Sequence, residues 1–291
     1  MFTGSYTALI TPMNTEGVDC DGLRRLVNWQ IEQGSHGLVA VGTTGESATL
    51  TADEHKQVIK VVVEETAGRV PVLAGAGSNN PEEAIAFAQH AEAIGADGLL
   101  CVAGYYNRPS QQGLYHHFKR VHDATSIPII IYNVPPRTVV DIQVDTMAQL
   151  ARLPRIAGVK DATRDLSRVL LEQQVIDKDF SFLCGDDIAA LAYNANGGRG
   201  IISVSANIAP ALCAQLQNLC AENNFAAALE IQQALLPLHQ ALFVEPNPAG
   251  VKFAASLLGF CGDYCRLPMI PLSLETKQII RDAMETLRLF D

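Results

Sequence analysis

The sequence predicts an α/β protein of the (β/α)8-barrel class with a C-terminal helical extension, and three observations carry that expectation. Short apolar runs alternate with amphipathic helical stretches eight times across residues 1–222. The runs are continuous rather than alternating, as in Val-Pro-Val-Leu-Ala at 70–74 and Pro-Ile-Ile-Ile-Tyr-Asn at 128–133, and strands with no wet face read this way. The length of 291 residues exceeds a barrel of roughly 250 residues, which leaves 223–291 for an added helical segment.

The strands are expected near 5–11, 37–42, 70–74, 98–102, 128–133, 156–160, 181–185 and 200–204. Helix start signals fall between them. Thr51-Ala52-Asp53-Glu54 is a capping box, in which the Thr51 hydroxyl accepts a first-turn amide and the Glu54 carboxylate reaches back. Asn80-Pro81-Glu82-Glu83 places a cap residue, a proline at the first helical position and carboxylates at the positive helix end. Val58, Ile59, Val62 and Val63 make an apolar stripe opposite Lys56, Lys60 and Glu64. Gly34, Gly68 and Gly95 sit where helix ends need a left-handed residue. Helices are expected at 210–221, 225–242, 248–258 and 274–287; the first completes the last β/α unit and the rest form the extension. An open doubly wound sheet is the rival architecture. It calls for an early G-x-G-x-x-G turn, which Gly75-Ala76-Gly77-Ser78-Asn79-Asn80 does not provide.

Composition excludes several classes. The net charge of −10 argues against nucleic acid and anionic membranes as partners. No apolar run reaches the roughly 18 residues of a membrane-spanning helix, and residues 1–12 lack the pattern of a signal peptide. Seven cysteines, with only Cys261 and Cys265 closely spaced, read as reduced thiols of a cytoplasmic protein rather than a disulfide framework or a zinc site. No metal-binding pattern is present, and Gly42–Ser47 is too short for a nucleotide phosphate loop.

In a barrel, chemistry belongs at the C-terminal ends of the strands. Lys160 ends an apolar strand. Two readings fit: an amine freed of its charge by desolvation to attack a ketone, or a lysine that snorkels past the strand end or pairs with Asp161. Tyr132 ends the preceding strand, as a proton shuttle or a hydrogen-bonded core phenol. Arg137 follows two stiffening prolines and is either a carboxylate clamp or a solvated cation. Gly42-Thr43-Thr44-Gly45-Glu46-Ser47 offers exposed amides and two hydroxyls, a carboxylate cradle or a plain turn. Tyr105 and Tyr106 read as packing or interface residues, and Asp186 and Asp187 as caps of the next helix.

Taken together, Gly42–Ser47, Tyr132-Asn133-Val134-Pro135 with Arg137, and Gly158-Val159-Lys160-Asp161-Ala162-Thr163 resemble the dihydrodipicolinate synthase family of pyruvate-dependent class I aldolases. The likeness runs from Gly4 through Asn247-Pro248-Ala249-Gly250-Val251-Lys252. It implies that Lys160 forms a Schiff base with pyruvate, needing neither metal nor nucleotide. It implies a hydroxyl relay of Thr43, Tyr132 and Tyr106, with Tyr106 entering a neighbouring subunit's site. Thr44 would hold the pyruvate carboxylate, Arg137 that of L-aspartate-4-semialdehyde, and Gly185 and Ile202 would line the cavity. The product would be 4-hydroxy-tetrahydrodipicolinate, on the route to diaminopimelate and lysine, made by a homotetramer of two tight dimers. Lysine itself would bind at Ser47, Ala48, His55, Asn79, Glu83 and Tyr105 as inhibitor. Two positions depart from the family pattern: Ala52 replaces a frequent histidine, and Ala103-Gly104 replaces Thr-Pro before the tyrosine pair.

The rivals are a sister lyase acting on N-acetylneuraminate or keto-deoxy sugar acids, a non-catalytic ligand-responsive barrel, and a phosphate-binding barrel isomerase. Arg137 and the paired threonines favour the synthase. An imine-forming lysine has no use in a mere binding module. Ser203-Val204-Ser205-Ala206-Asn207 lacks the glycines of a phosphate nest.

Overall fold

In a computed structural model, which describes residues 1–290, eight parallel strands close into a barrel. They are β1 (Gly4–Ala8), β2 (Gly37–Ala40), β3 (Val72–Gly75), β4 (Gly98–Val102), β5 (Ile129–Asn133), β6 (Ile156–Asp161), β7 (Ser181–Cys184) and β8 (Gly200–Ser203). Each pairs with its sequence neighbours, and β8 returns to β1 with Gly4 opposite Gly200 and Tyr6 opposite Ile202. The helices that follow the strands are α1 (Cys20–Glu32), α2 (Ala52–Thr66), α3 (Pro81–Ala93), α4 (Gln111–Asp123), α5 (Val144–Ala151), α6 (Ser167–Val175), α7 (Ala190–Ala195) and α8 (Pro210–Ala221). The extension adds α9 (Phe225–Ala241), α10 (Ala249–Leu257) and α11 (Leu274–Thr286).

The expected start signals operate. Thr51 and Glu54 form the reciprocal cap of α2, and the Asn80 side chain accepts from Glu82 N at α3. Gly34, Gly68 and Gly95 take positive φ after their helices. Of the α2 stripe, Val58, Ile59 and Val62 are buried and Val63 is partly so.

Two strands stop two or three residues short of their expected ends, for local reasons. After Ala8, the Asn207 carboxamide takes over from the ladder: its Nδ2 donates to Ala8 O at 2.7 Å and its Oδ1 accepts from Ile10 N at 3.0 Å. After Ala40, Val41 turns left-handed at φ 55°, which a branched side chain adopts only under constraint. The periodicity also gave no sign of the two-residue hairpin strands Met13–Asn14 and Gly17–Val18, the turn Pro135–Thr138, or the short 3-10 turns Asp187–Ala189 and Ser205–Asn207.

Two apolar layers result. The inner one fills the barrel with Tyr6, Val39, Leu73, Leu100, Ile130, Tyr132, Leu183 and Ile202. The outer one lies between strands and helices, and Leu235, Leu238, Val251, Phe253, Ile280 and Met284 of the extension join it. The break expected at 222/223 is therefore one of topology, with a common core across it. No helix among the described residues is long and apolar enough to cross a membrane.

Candidate active site

Strand register decides which side chains meet at the barrel mouth. Tyr132 pairs with Lys160, and Lys160 with Leu183. Opposed residues of neighbouring strands share a face, so lysine and tyrosine both project inward. Their burial is nearly complete, at 6% and 7% exposure. Lys160 Nζ stands 4.3 Å from the centroid of the Tyr132 ring, within cation–π range. Among the described residues Lys160 has no ion-pair partner. The alternative pairing with Asp161 is not made: Asp161 Oδ1 accepts the Thr163 amide at 2.8 Å.

Lys160 and Tyr132 open onto a cavity of about 400 Å³, lined also by Thr43, Thr44, Arg137 and Gly185. Ile202 does not line it. That residue is 1% exposed in the barrel interior, and Val204, two positions on, takes its place at the wall. Gly185 is required by space: a Cβ there would sit 2.8 Å from the Ala162 Cβ. Arg137 lies in the turn Pro135–Thr138, whose Arg137 and Thr138 amides donate to Val134 O at 2.9 and 3.1 Å. Asp186 caps the short turn after β7, as expected, and pairs with Arg164 at 2.7 Å. Asp187 does something else. Its carboxylate accepts from the Ser203 hydroxyl and from Val204 N and Ser205 N, binding the loop after β7 to that after β8.

The loop Gly42–Ser47 has the shape of a cradle. Its Gly45, Glu46 and Ser47 amides are spent within the loop, while those of Thr43 and Thr44 have no partner among the described residues. The Thr44 hydroxyl accepts from Asn247 Nδ2 at 3.1 Å, which leaves its own hydrogen for another acceptor. The left-handed residues here are Val41 and Glu46, at φ 55° and 58°, rather than the glycines. Gly45 is needed for close approach, since a Cβ would lie 3.1 Å from Leu9 O and Val41 Cα.

A buried pair that sequence reasoning missed holds this loop. Lys252 of α10, fully buried, donates to Glu46 Oε1 at 2.6 Å, and Glu46 Oε2 accepts from Arg266 N at 3.0 Å. The Arg266 guanidinium in turn grips Glu54 at 2.5 and 2.7 Å and donates to Thr49 O at 2.9 Å. Arg266 holds the Glu54 carboxyl at about 2, well below the usual range. Asn247 and Lys252 stand in the family-like segment Asn247–Lys252, but nothing in the sequence indicates where their side chains go.

Next to the first cavity lies a second, of about 410 Å³, lined by Ser47, Ala48, His55, Glu83 and Tyr105, and by Ala52. The two share Thr43, Val134, Arg137 and Asn247 as a common wall. His55 stacks on Phe87 with centroids 3.8 Å apart and bonds Gly75 O at 2.7 Å. Burial pushes its imidazole down to about 4, so it is neutral at pH 7. Asn79 lies outside the lining, its carbonyl accepting from Asn107 Nδ2 at 3.0 Å. Tyr106 is not brought to Lys160 at all: it is 92% exposed, at φ 68°. Among the described residues no cluster of three His, Cys, Asp or Glu side chains could hold a metal ion.

The profile of the Dihydrodipicolinate synthetase family matches residues 1–287. The chain belongs to this family. The resemblance drawn from the motifs is thus borne out, and so is the barrel. A 4-hydroxy-tetrahydrodipicolinate synthase of Parvibaculum lavamentivorans is 54% identical over 286 residues, 98% of either chain. Among solved structures, dihydrodipicolinate synthase from Acinetobacter baumannii, complexed with pyruvate, superposes with a TM-score of 0.97 at 40% identity over the whole of both chains. The enzyme from Cyanidioschyzon merolae with lysine bound gives 0.96 at 34% identity, over 99% of each.

The Glu46–Lys252 pair makes a stability prediction. Lys252→Met leaves a buried carboxylate unpaired and is expected to cost about 3–5 kcal/mol in urea unfolding. The double variant Glu46→Gln/Lys252→Met is expected to recover most of it; equal losses in single and double variants would refute the coupling.

Proposed function

We propose that this protein performs the 4-hydroxy-tetrahydrodipicolinate synthase reaction, joining pyruvate to L-aspartate-4-semialdehyde through an imine on Lys160. The observation that carries the proposal is a buried, unpaired amine beside a phenol, facing a cavity with a carboxylate cradle on one side and an arginine on the other. The family membership and the 54% identical synthase support it.

The chemistry follows from the positions. The free amides of Thr43 and Thr44 and the Thr44 hydroxyl receive the pyruvate carboxylate, setting its keto carbon before Lys160 Nζ. The amine adds to that carbon, and loss of water gives the imine. The imine acidifies the methyl group, and Tyr132 and Thr43 carry the proton away to leave an enamine. The enamine carbon attacks the aldehyde carbon of the second substrate, held by its carboxylate on Arg137, and the C=O bond opens to a hydroxyl as the relay returns a proton to its oxygen. The substrate's own amine then displaces Lys160 and closes the ring. Lys160 supplies the electron sink, so the reaction draws on neither metal nor nucleotide, and the product feeds diaminopimelate and lysine synthesis in the cytoplasm.

Tyr106, held away from the cavity in a single chain, completes the relay from a second copy, within a homotetramer of two tight dimers. The second cavity, with Ser47, Ala48, His55, Glu83 and Tyr105, takes lysine. The Glu83 carboxylate offers its ammonium a partner.

Borohydride reduction in the presence of pyruvate is expected to leave a pyruvyl adduct on residue 160 in peptide mass mapping. An adduct elsewhere, or full turnover by Lys160→Ala, would sink the mechanism. Mixed dimers of Lys160→Ala and Tyr106→Phe chains are expected to regain activity that neither homodimer has, because one of their two sites is intact. Failure to complement would place Tyr106 outside the relay. Millimolar lysine is expected to slow turnover and raise the melting temperature, and an absence of both effects would discard the second site.

A further inference from the structure

Lys160 and Tyr132 face into the barrel, and the next residue on each strand faces the other way. Side chains alternate across a strand, so Asn133 and Asp161, themselves paired in register, point outward toward α6. There they meet a polar cluster that the proposed reaction does not use. Asn133 Nδ2 donates to Asp141 Oδ1 at 2.8 Å, and Asn133 Oδ1 accepts from Ile142 N at 3.2 Å. Arg168 of α6 joins Asp141, at 3.0 and 3.2 Å, to Glu172, at 2.9 Å. Backbone bonds tie the same strand ends: Ala162 N donates to Asn133 O at 2.9 Å, and Gly185 N to Asp161 O at 2.6 Å.

The cluster is a poor source of stability. Asp161, Arg168 and Glu172 are all more than nine-tenths buried. Asp161 Oδ2, Arg168 Nη2, Glu172 Oε2 and Tyr193 Oη are sealed without a partner among the described residues. Burial pushes the Glu172 carboxyl up to about 7, and raises that of Asp161, in spite of the nearby guanidinium. Apolar residues of equal volume fill such a space at lower cost. What the cluster does supply is direction. A chain of short bonds runs from α6 through Arg168, Asp141 and Asn133 to the peptide that carries Tyr132, directly beside the one that carries Lys160.

We propose that Arg168 is a positioning residue: acting through Asp141 and Asn133, it fixes the end of β5 against β6 from outside the barrel and so holds Tyr132 over Lys160. This rests on the imine reading of Lys160. A displacement of the reacting groups by an ångström costs up to about a hundredfold in rate, so the anchor matters more to turnover than to binding.

The test uses Arg168→Met, Arg168→Lys and Asp141→Ala, the last at a half-exposed side chain that leaves the buried pair with Glu172 in place. Each is assayed well below its melting temperature, by steady-state kinetics and by quenched-flow borohydride trapping of the pyruvyl adduct. Arg168→Met and Asp141→Ala are expected to lower kcat and the trapping rate about tenfold or more, with the KM for pyruvate changed less than about twofold; Arg168→Lys restores part of the rate. Folded variants that trap as fast as the parent overturn the positioning role while leaving the imine intact, as does a loss confined to melting temperature. A parent protein with no adduct on Lys160 overturns both.

Discussion

The buried pair between Glu46 and Lys252 is the constraint on which the site depends. It involves a non-glycine residue held in the left-handed region and, with the Arg266 amide, saturates a carboxylate that would otherwise be costly to bury. Thr43 and Thr44 owe the direction of their amides to that fixed turn. The helical extension is therefore part of the site. Its Asn247 bonds Thr44, its Lys252 sets Glu46, and its Arg266 clamps Glu54 at the start of α2.

Charge is distributed to suit this arrangement. The molecule carries a net charge of −10, yet Lys160, Arg137 and Arg164 line the cavity. Its two aspartates are already engaged, Asp186 by Arg164, whose charge it offsets, and Asp187 by the loop after β8, which leaves Lys160 and Arg137 as the lining cations without an ion-pair partner among the described residues. A local field that favours anions inside an acidic protein suits carboxylate substrates.

Much of this was legible in the sequence, and the limits have physical causes. The strands were readable because both faces are buried, so their apolar runs are unbroken. Lys160 stood out because an ammonium is an unusual end to such a run, and Arg137 because two prolines precede it. The roles of Asn247 and Lys252 were not readable, since a hydrogen bond to a residue some 200 positions away leaves no local pattern; that of Asp187 was hidden because its partners lie on the next strand end rather than in its own turn. The place given to Ile202 came from family likeness, and its side chain lies in the barrel interior below the cavity wall, a depth that an apolar run does not reveal. The place of Tyr106 came from family likeness alone; periodicity says nothing about a side chain that a single chain leaves in solvent. Val41 falls inside the strand expected at 37–42 yet turns left-handed, which an apolar run cannot reveal because it records burial and not backbone angle.

Barrel closure joins Gly4 to Gly200, and Glu46 and Lys252 lie 206 residues apart. Such distant contacts form late, because the intervening chain must first be ordered. The threonine loop leaves the ribosome early but cannot take its working shape until α10 has followed. During synthesis, then, the nascent barrel holds its lysine and tyrosine strands before it has a finished cradle, and competence arrives only with the last quarter of the polypeptide.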